Sequence, residues 1–239
     1  DAGTSFDPSA EALSLSAATA PLAPEKNTTF ELGTKWNLLH ERLSLTAAIF
    51  KTQQDNLREP SPTDPSIDIL AGNAESKGFT LGVTGHLTEH WQVLVGYAYT
   101  FSEVDKSPVS GPGSDLGHRL ANVPMHTANL WTTYTLPWKL EIGAGIDYVS
   151  SRYASTTPTL ACPATNSSCT ASTGGVEFWK EVPGYYTLSA MAKYPLTDQI
   201  GLQLNLYNLT DNFYFDQIHP SHIVPGAGRS ALLTLNVKY

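Results

Sequence analysis

Cys162 and Cys169 stand seven positions apart and are the only cysteines in the chain. Such a pair can close a disulfide, contribute to a metal site or supply a reactive thiolate. A zinc site needs further Cys or His ligands at ligand spacing, and no histidine lies between 152 and 184. A catalytic thiol needs a neighbouring base or cation to hold it as thiolate, and no histidine base is near. His219 and His222 form a second pair, but Pro220 between them prevents a regular helical face, and no third ligand is within sequence reach. No metal site is expected, and His118 and His126 read as polar contacts of loops. His40, His86 and His90 read as structural. The chain carries no nucleophile elbow, phosphate-binding glycine loop or HExxH helix, and its carboxylates do not form a convergent set. Nothing supports an enzyme.

The elements that would carry these residues follow from composition. Of 239 residues, 41% are hydrophobic and only 15% charged, with a net charge of −8. Soluble domains carry about 25% charged residues. Eleven Tyr and five Trp argue against disorder. No run approaches the roughly 18 apolar residues of a spanning helix. Coiled coils and nucleic-acid binders fail on composition and charge, so no nucleic acid is expected as a partner. A β-rich chain remains, either a large sandwich or part of a membrane barrel.

Period-two alternation dominates. Phe30, Leu32, Trp36 and Leu38 alternate with polar or small neighbours. So do Phe79–Leu87, Trp91–Phe101, Leu140–Tyr148, Ile200–Leu206 and the C-terminal run from Ser230. Segments 42–52, 126–136 and 185–195 alternate less cleanly. That predicts nine strands, with a further stub at 1–6. The links alternate without exception. Short ones fall at Leu39–Glu41, Thr88–His90, Pro137–Trp138 and Leu196–Gln199, and long ones at 7–26, 53–73, 103–125, 152–184 and 210–229. A Greek-key sandwich has no reason to do this. A transmembrane barrel does, with short periplasmic turns and long outer loops.

The remaining signals agree. A tilted barrel strand crosses the hydrocarbon in about 9–11 residues. Trp36, Trp91, Trp138, Tyr194 and Tyr239 fall at the short-turn end, and Phe30, Phe50, Tyr99, Phe101, Tyr148, Tyr185 and Tyr214 at the other. Two aromatic belts match two membrane interfaces. The face opposite the apolar one is mostly Gly, Thr, Ala, Asn and Gln, as befits a lumen wall. The chain lacks an initiator Met and a leader, and it ends on an alternating strand. It is expected to be the C-terminal piece of something longer.

These residues also carry a family resemblance. Pro24–Lys35 resembles the "PEK…YELG.K" start of a strand in TonB-dependent outer-membrane siderophore receptors. Lys77-Gly78-Phe79, Asn122–Ala128, Val182–Tyr185 and Asn205–Tyr214 resemble the same family, in family order. Within it, Gly3–Glu11 and His219–Arg229 look most like catecholate-type receptors.

The resemblance implies an all-β fold, an antiparallel transmembrane β-barrel in the bacterial outer membrane. This chain would form the last nine or so strands of a 22-stranded barrel plugged by an N-terminal domain absent from it. Such a receptor binds a ferric siderophore outside and imports it with energy from TonB, which contacts the missing N-terminal part. Iron arrives chelated, so no cofactor is expected. Lipid and lipopolysaccharide surround the wall. Leu233, Leu235, Val237 and Tyr239 resemble the signal read by the outer-membrane barrel-assembly machinery. On an oxidising cell surface, Cys162 and Cys169 are expected to staple the longest outer loop as a disulfide. Nine strands cannot close an antiparallel barrel alone.

Ferric catecholates and hydroxamates present oxygen-rich, often anionic surfaces, which call for Arg or Lys charge and aromatic stacking. The candidates for ligand contact are Arg58, Arg119, Arg152, Tyr153, Phe178, Trp179, Phe215, His219 and Arg229. Arg229 has a second reading as a tie for the last loop, and Trp179 one as packing beneath its own loop. The competing functions are a passive porin or channel, a β-sandwich binding sugar or protein, and a truncated product without transport.

Overall fold

The computed structural model describes residues 23–61, 68–111, 113–161, 175–218 and 222–238. The expected stub at 1–6, both cysteines, His219 and Tyr239 lie outside the described residues. Strands β1 (Lys26–Leu38), β2 (Leu43–Pro60), β3 (Asp68–His86), β4 (Trp91–Lys106), β5 (His126–Thr135) and β6 (Glu141–Val149) come first. Four short strands follow: β7 (Arg152–Tyr153), β8 (Thr159–Ala161), β9 (Val176–Phe178) and β10 (Glu181–Val182). The chain continues through β11 (Tyr185–Pro195), β12 (Ile200–Tyr207), β13 (Phe215–Ile218), β14 (Ile223–Pro225) and β15 (Ser230–Val237).

Nine of these make one antiparallel sheet in the order β1-β2-β3-β4-β5-β6-β11-β12-β15. They are the nine strands expected from alternation. The register shows why the alternation is so regular. Trp36, Leu45, Val83, Val95, Leu130, Ile146 and Leu188 stand side by side across seven strands on one face. One residue earlier or later, Lys35, Thr46, Gly82, Gly96, Asn129, Asp147 and Thr187 form the matching row on the other face. A slip of one residue would exchange the two faces, so the apolar pattern fixes the register.

The apolar face stays open, with Leu32 72%, Ile49 59%, Leu233 64% and Leu235 60% exposed. Water does not tolerate an apolar surface of that extent in a monomer, whereas hydrocarbon does. β1 and β15 are the sheet's edges, each paired on one side only. Because they are the first and last of nine antiparallel strands, with seven between them, both run in the same direction and cannot pair antiparallel with each other.

Three expectations need correction. Segment 53–73 is mostly strand, since β2 runs to Pro60 and β3 begins at Asp68. Beyond the apolar band there is no lipid face to impose period-two hydrophobicity, yet pairing continues through polar contacts such as Asn73 Nδ2 donating to Asp55 Oδ1 at 2.9 Å. Likewise, segments 152–184 and 210–229 contain short hairpins rather than plain loop. Third, Phe50 and Tyr185 leave the outer aromatic belt. Phe50 pairs with Glu31 and Gly78, and Tyr185 with Val149, on the small-residue face. Tyr186, level with Tyr148, stands in the belt instead.

Candidate functional site

At the long-loop end, connections from four parts of the chain lock together. Ala154, Val182 and Ile218 form a buried cluster, with Phe215 packed against it. These residues come from the β7 region, β10 and β13, so burial joins loops that are far apart in sequence. Polar ties reinforce it. Asn122 Nδ2 donates to Ile218 O at 2.8 Å, and Ala121 N donates to Thr156 Oγ1 at 2.9 Å. Below them, Leu120 N donates to Ser102 Oγ on the fully buried Ser102 of β4. The result is a platform over the end of the sheet.

Arg152 and Arg119, both expected to meet ligand, are built into that platform. Arg152 donates to Phe215 O at 2.8 Å and Asp216 O at 3.3 Å, with its guanidinium 5.9 Å from the Tyr185 ring centre. Tyr185 in turn stacks on Tyr214 at 4.3 Å. Arg119 donates to Val123 O at 2.9 Å and lies 5.5 Å from the Tyr153 ring, while its Nε is buried without a partner. A buried, unpaired donor on a cation is costly.

The remaining candidates are spread around it. Trp179 stacks on His118 at 3.8 Å and donates its indole N–H to Thr156 O at 3.3 Å. Phe178 on β9 is 40% exposed, and Phe215 meets Phe213 edge-on at 5.2 Å. Arg58 is exposed high on β2, its backbone N–H donating to Glu25 Oε1 at 3.3 Å. Arg229 sits apart, paired with Asp211 at 3.6 Å, and its N–H donates to Asp211 Oδ1. That geometry suits its reading as a tie for the last loop. Among the described residues, no group of three or more His, Cys, Asp or Glu could hold a metal ion.

The sequence reading passed over several positioning residues. Asn208 is buried, adopts φ 48°, donates to Asn212 O and Ala227 O, and accepts from Asn212 N. It clamps the turn that carries the chain from β12 towards β13; its place in the Asn205–Tyr214 stretch was the signal. Trp131 was also missed. It stands on the small-residue face beside Leu94, over Gly143 and Gly145. On the opposite face, beyond the band's upper aromatics, Glu75 accepts from Lys51 at 2.7 Å and from Lys77 at 3.0 Å.

This geometry is matched by known proteins. Residues 1–209 fit the family model "TonB dependent receptor-like, beta-barrel". The chain belongs to the TonB-dependent receptor β-barrel family. It is 38% identical over 224 residues to the probable TonB-dependent siderophore receptor PiuA of Acinetobacter baumannii, covering 90% of this chain and 27% of that protein. It is 31% identical to the catecholate siderophore receptor Fiu of Escherichia coli K12, covering 90% of this chain and 26% of that protein. The metal-pseudopaline receptor CntO of Pseudomonas aeruginosa PAO1 is also 31% identical, over 90% of this chain and 28% of its own. The crystal structure of PiuA superposes with TM-score 0.74 at 37% identity, over 90% of this chain and 29% of that chain. The closed form of Fiu gives 0.73 at 29% identity, over 93% and 29%.

The chain therefore spans little more than a quarter of the length of these relatives. Its nine strands are part of a TonB-dependent receptor barrel wall in the outer membrane, and the family is one of receptors rather than enzymes. The β-sandwich reading falls with this assignment.

Proposed function

We propose that this chain forms the last nine strands of an outer-membrane receptor that binds a ferric siderophore of catecholate type on its outer side and imports it with TonB-coupled energy. The observation that carries the reading is the interlocked platform, which presents the Arg119–Tyr153 and Trp179–His118 pairs at the long-loop end of a receptor wall. A guanidinium over a tyrosine ring, beside a stacked indole–imidazole pair, suits an anionic, ring-bearing oxygen ligand. The name of Fiu, a catecholate siderophore receptor, supports the same class, and that of PiuA supports a siderophore more broadly. Remaining contacts come from parts of the receptor outside this chain, and barrel-assembly machinery and lipopolysaccharide are its other partners.

A second reading has its own support. CntO is as similar as Fiu, at 31% identity, so a metal chelate other than a ferric catecholate fits the family match equally well. The test is growth of an iron-starved strain, with and without the full gene, on defined ferric catecholates, ferric hydroxamates and non-ferric metal chelates, in the presence and absence of TonB. TonB-dependent growth on catecholates supports the first reading. Growth on another chelate alone moves the substrate class, no dependence on any chelate refutes import, and uptake without TonB identifies a passive channel.

A further inference from the structure

The outward face of β1–β4 changes chemistry in registered steps. One row reads Leu32, Ile49, Phe79 and Tyr99. The next same-face row towards the long-loop end reads Phe30, Lys51, Lys77 and Phe101. The row after that reads Thr28, Gln53, Glu75 and Glu103. Successive rows stand about 6.6 Å apart along a strand. Apolar, then cationic between two rings, then acidic and polar is the sequence of environments met on leaving hydrocarbon for a headgroup layer.

Two lysines at this level are unusual in what they leave free. Glu75 sits between them with its side chain 11% exposed, while Lys51 and Lys77 remain 48% and 50% exposed. An ammonium has three N–H donors. Lys51 spends one on Glu75, and Lys77 spends one on Glu75 with Glu103 further off at 3.7 Å. Glu75 therefore holds two ammoniums at a fixed spacing with donors still facing outward. Lys77 also lies 5.6 Å from the Phe101 ring centre, which fixes its lateral position.

Directly beneath the two lysines runs an apolar groove of about 510 Å³. Ala47 forms its floor, and Leu32, Ile49, Phe79 and Leu81 line it. Ile49 and Phe79 are the same-face neighbours of Lys51 and Lys77 on their own strands. A cationic pair above an apolar trough is complementary to an amphiphile with an anionic head and a hydrocarbon tail.

We propose that the β1–β3 outer face is a binding site for an outer-leaflet lipid with a phosphorylated headgroup, its phosphate held by Lys51 and Lys77 and one acyl chain lying over Ala47. The site depends on the barrel wall facing lipid and is independent of what the receptor imports. It fixes the depth of the wall in the membrane at the level of the Lys51–Lys77 row.

The test uses the intact outer-membrane receptor that contains this chain, purified in detergent and mixed with lipid A in its bis-phosphorylated and enzymatically dephosphorylated forms. Native mass spectrometry reads the bound fraction of each. The wild type is expected to retain the phosphorylated form at least about tenfold better, the scale set by two ammoniums near an anionic lipid. The triple variant K51Q/E75Q/K77Q shifts the net charge by only one unit and removes the little-exposed Glu75 carboxylate together with both of its lysine partners, so it should fold, as judged by heat-modifiable migration, and lose the preference. Ala47→Phe should weaken both forms by filling the groove. Equal binding of the two lipids by the wild type, or a preference that survives in the folded triple variant, overturns the proposal. So does displacement of the lipid by millimolar inorganic phosphate, which would identify a site for the free ion. Siderophore-dependent growth of the triple variant stays unchanged, so failure here and failure of the import reading are separate results.

Discussion

The indole of Trp131 occupies the space that a side chain at Gly145 would need. A Cβ built on Gly145 would stand 2.4 Å from Trp131 Cε3 and 2.9 Å from the Leu130 carbonyl oxygen. One Cβ on Gly143 would stand 2.9 Å from Trp131 Cζ2 and 3.2 Å from Thr133 Cγ2. Moving the indole relieves the second position but not the backbone contact at the first. Gly145→Ala should therefore cost about 1–3 kcal/mol by overpacking, and Gly143→Ala less. The temperature at which the folded, fast-migrating band disappears on electrophoresis measures the difference; equal shifts would show that the indole alone sets the cost.

Arg152 joins β7 to β13 through two backbone carbonyls. A charged donor to a carbonyl contributes up to about 3 kcal/mol, and an ammonium cannot match the two-pronged geometry. Both Arg152→Gln and Arg152→Lys should raise the rate of surface proteolysis near 215–225 in intact cells, without loss of folded receptor. Wild-type cleavage rates in Arg152→Lys would show that charge, rather than the fork, holds the hairpin.

Asn208 supplies three hydrogen bonds from a buried side chain in a left-handed backbone. Asn208→Ala removes all three and raises the backbone cost, for a loss of about 3 kcal/mol or more. Asn208→Gly keeps the conformation and should lose less. Yields of folded receptor in the membrane fraction should fall in the order wild type, Gly, Ala.

Leu233 and Thr234 are neighbours on β15 that face opposite sides. Leu233 is level with Leu204 on the apolar face, and Thr234 with Gln203 on the other. Leu233→Arg should cost about 2–4 kcal/mol if it meets the middle of the bilayer, whereas Thr234→Arg should insert almost normally. Denaturant unfolding in vesicles reads both, and similar penalties would mean that the faces are assigned the wrong way round.

Trp179 and His118 present a stacked pair at the proposed ligand face. Trp179→Ala should lower affinity for the ferric siderophore by about tenfold, the scale of a hot-spot aromatic, while Trp179→Phe retains most of it. Unchanged affinity in a folded Trp179→Ala receptor would reassign the pair to packing.

The wall was legible in the sequence because lipid imposes a strict rule. Every second residue from Leu32 to Leu38 or from Val93 to Phe101 must satisfy hydrocarbon or an interface, so the pattern announces strand, face and register together. That rule ends where the membrane ends, which is why the upper halves of β2 and β3 looked like loop. Nothing local distinguishes Lys51 and Lys77 from ordinary surface lysines until register puts Glu75 between them. The turn after β1 was legible only from the break in alternation at Leu39–Glu41, since Leu39, His40 and Glu41 all adopt positive φ (52°, 56° and 67°) with no glycine to mark it. At the outer face, the residue types suited to ligand were readable, but their engagements were not. Arg152 is committed to Phe215 and Asp216, 63 and 64 positions away, and only the fold brings them together.

The shared direction of β1 and β15 constrains whatever completes the wall. Both strands descend from the long-loop end to the short-turn end, so each needs an ascending neighbour. A complement that begins and ends with ascending strands contains an odd number of them. It enters beside β15 from the periplasmic side and leaves beside β1 on the cell surface, where a loop hands the chain across. The nine strands are thus a cassette with fixed polarity: they accept a partner wall in one orientation, and a wall with one strand more or fewer would leave a seam of like-directed strands in the bilayer.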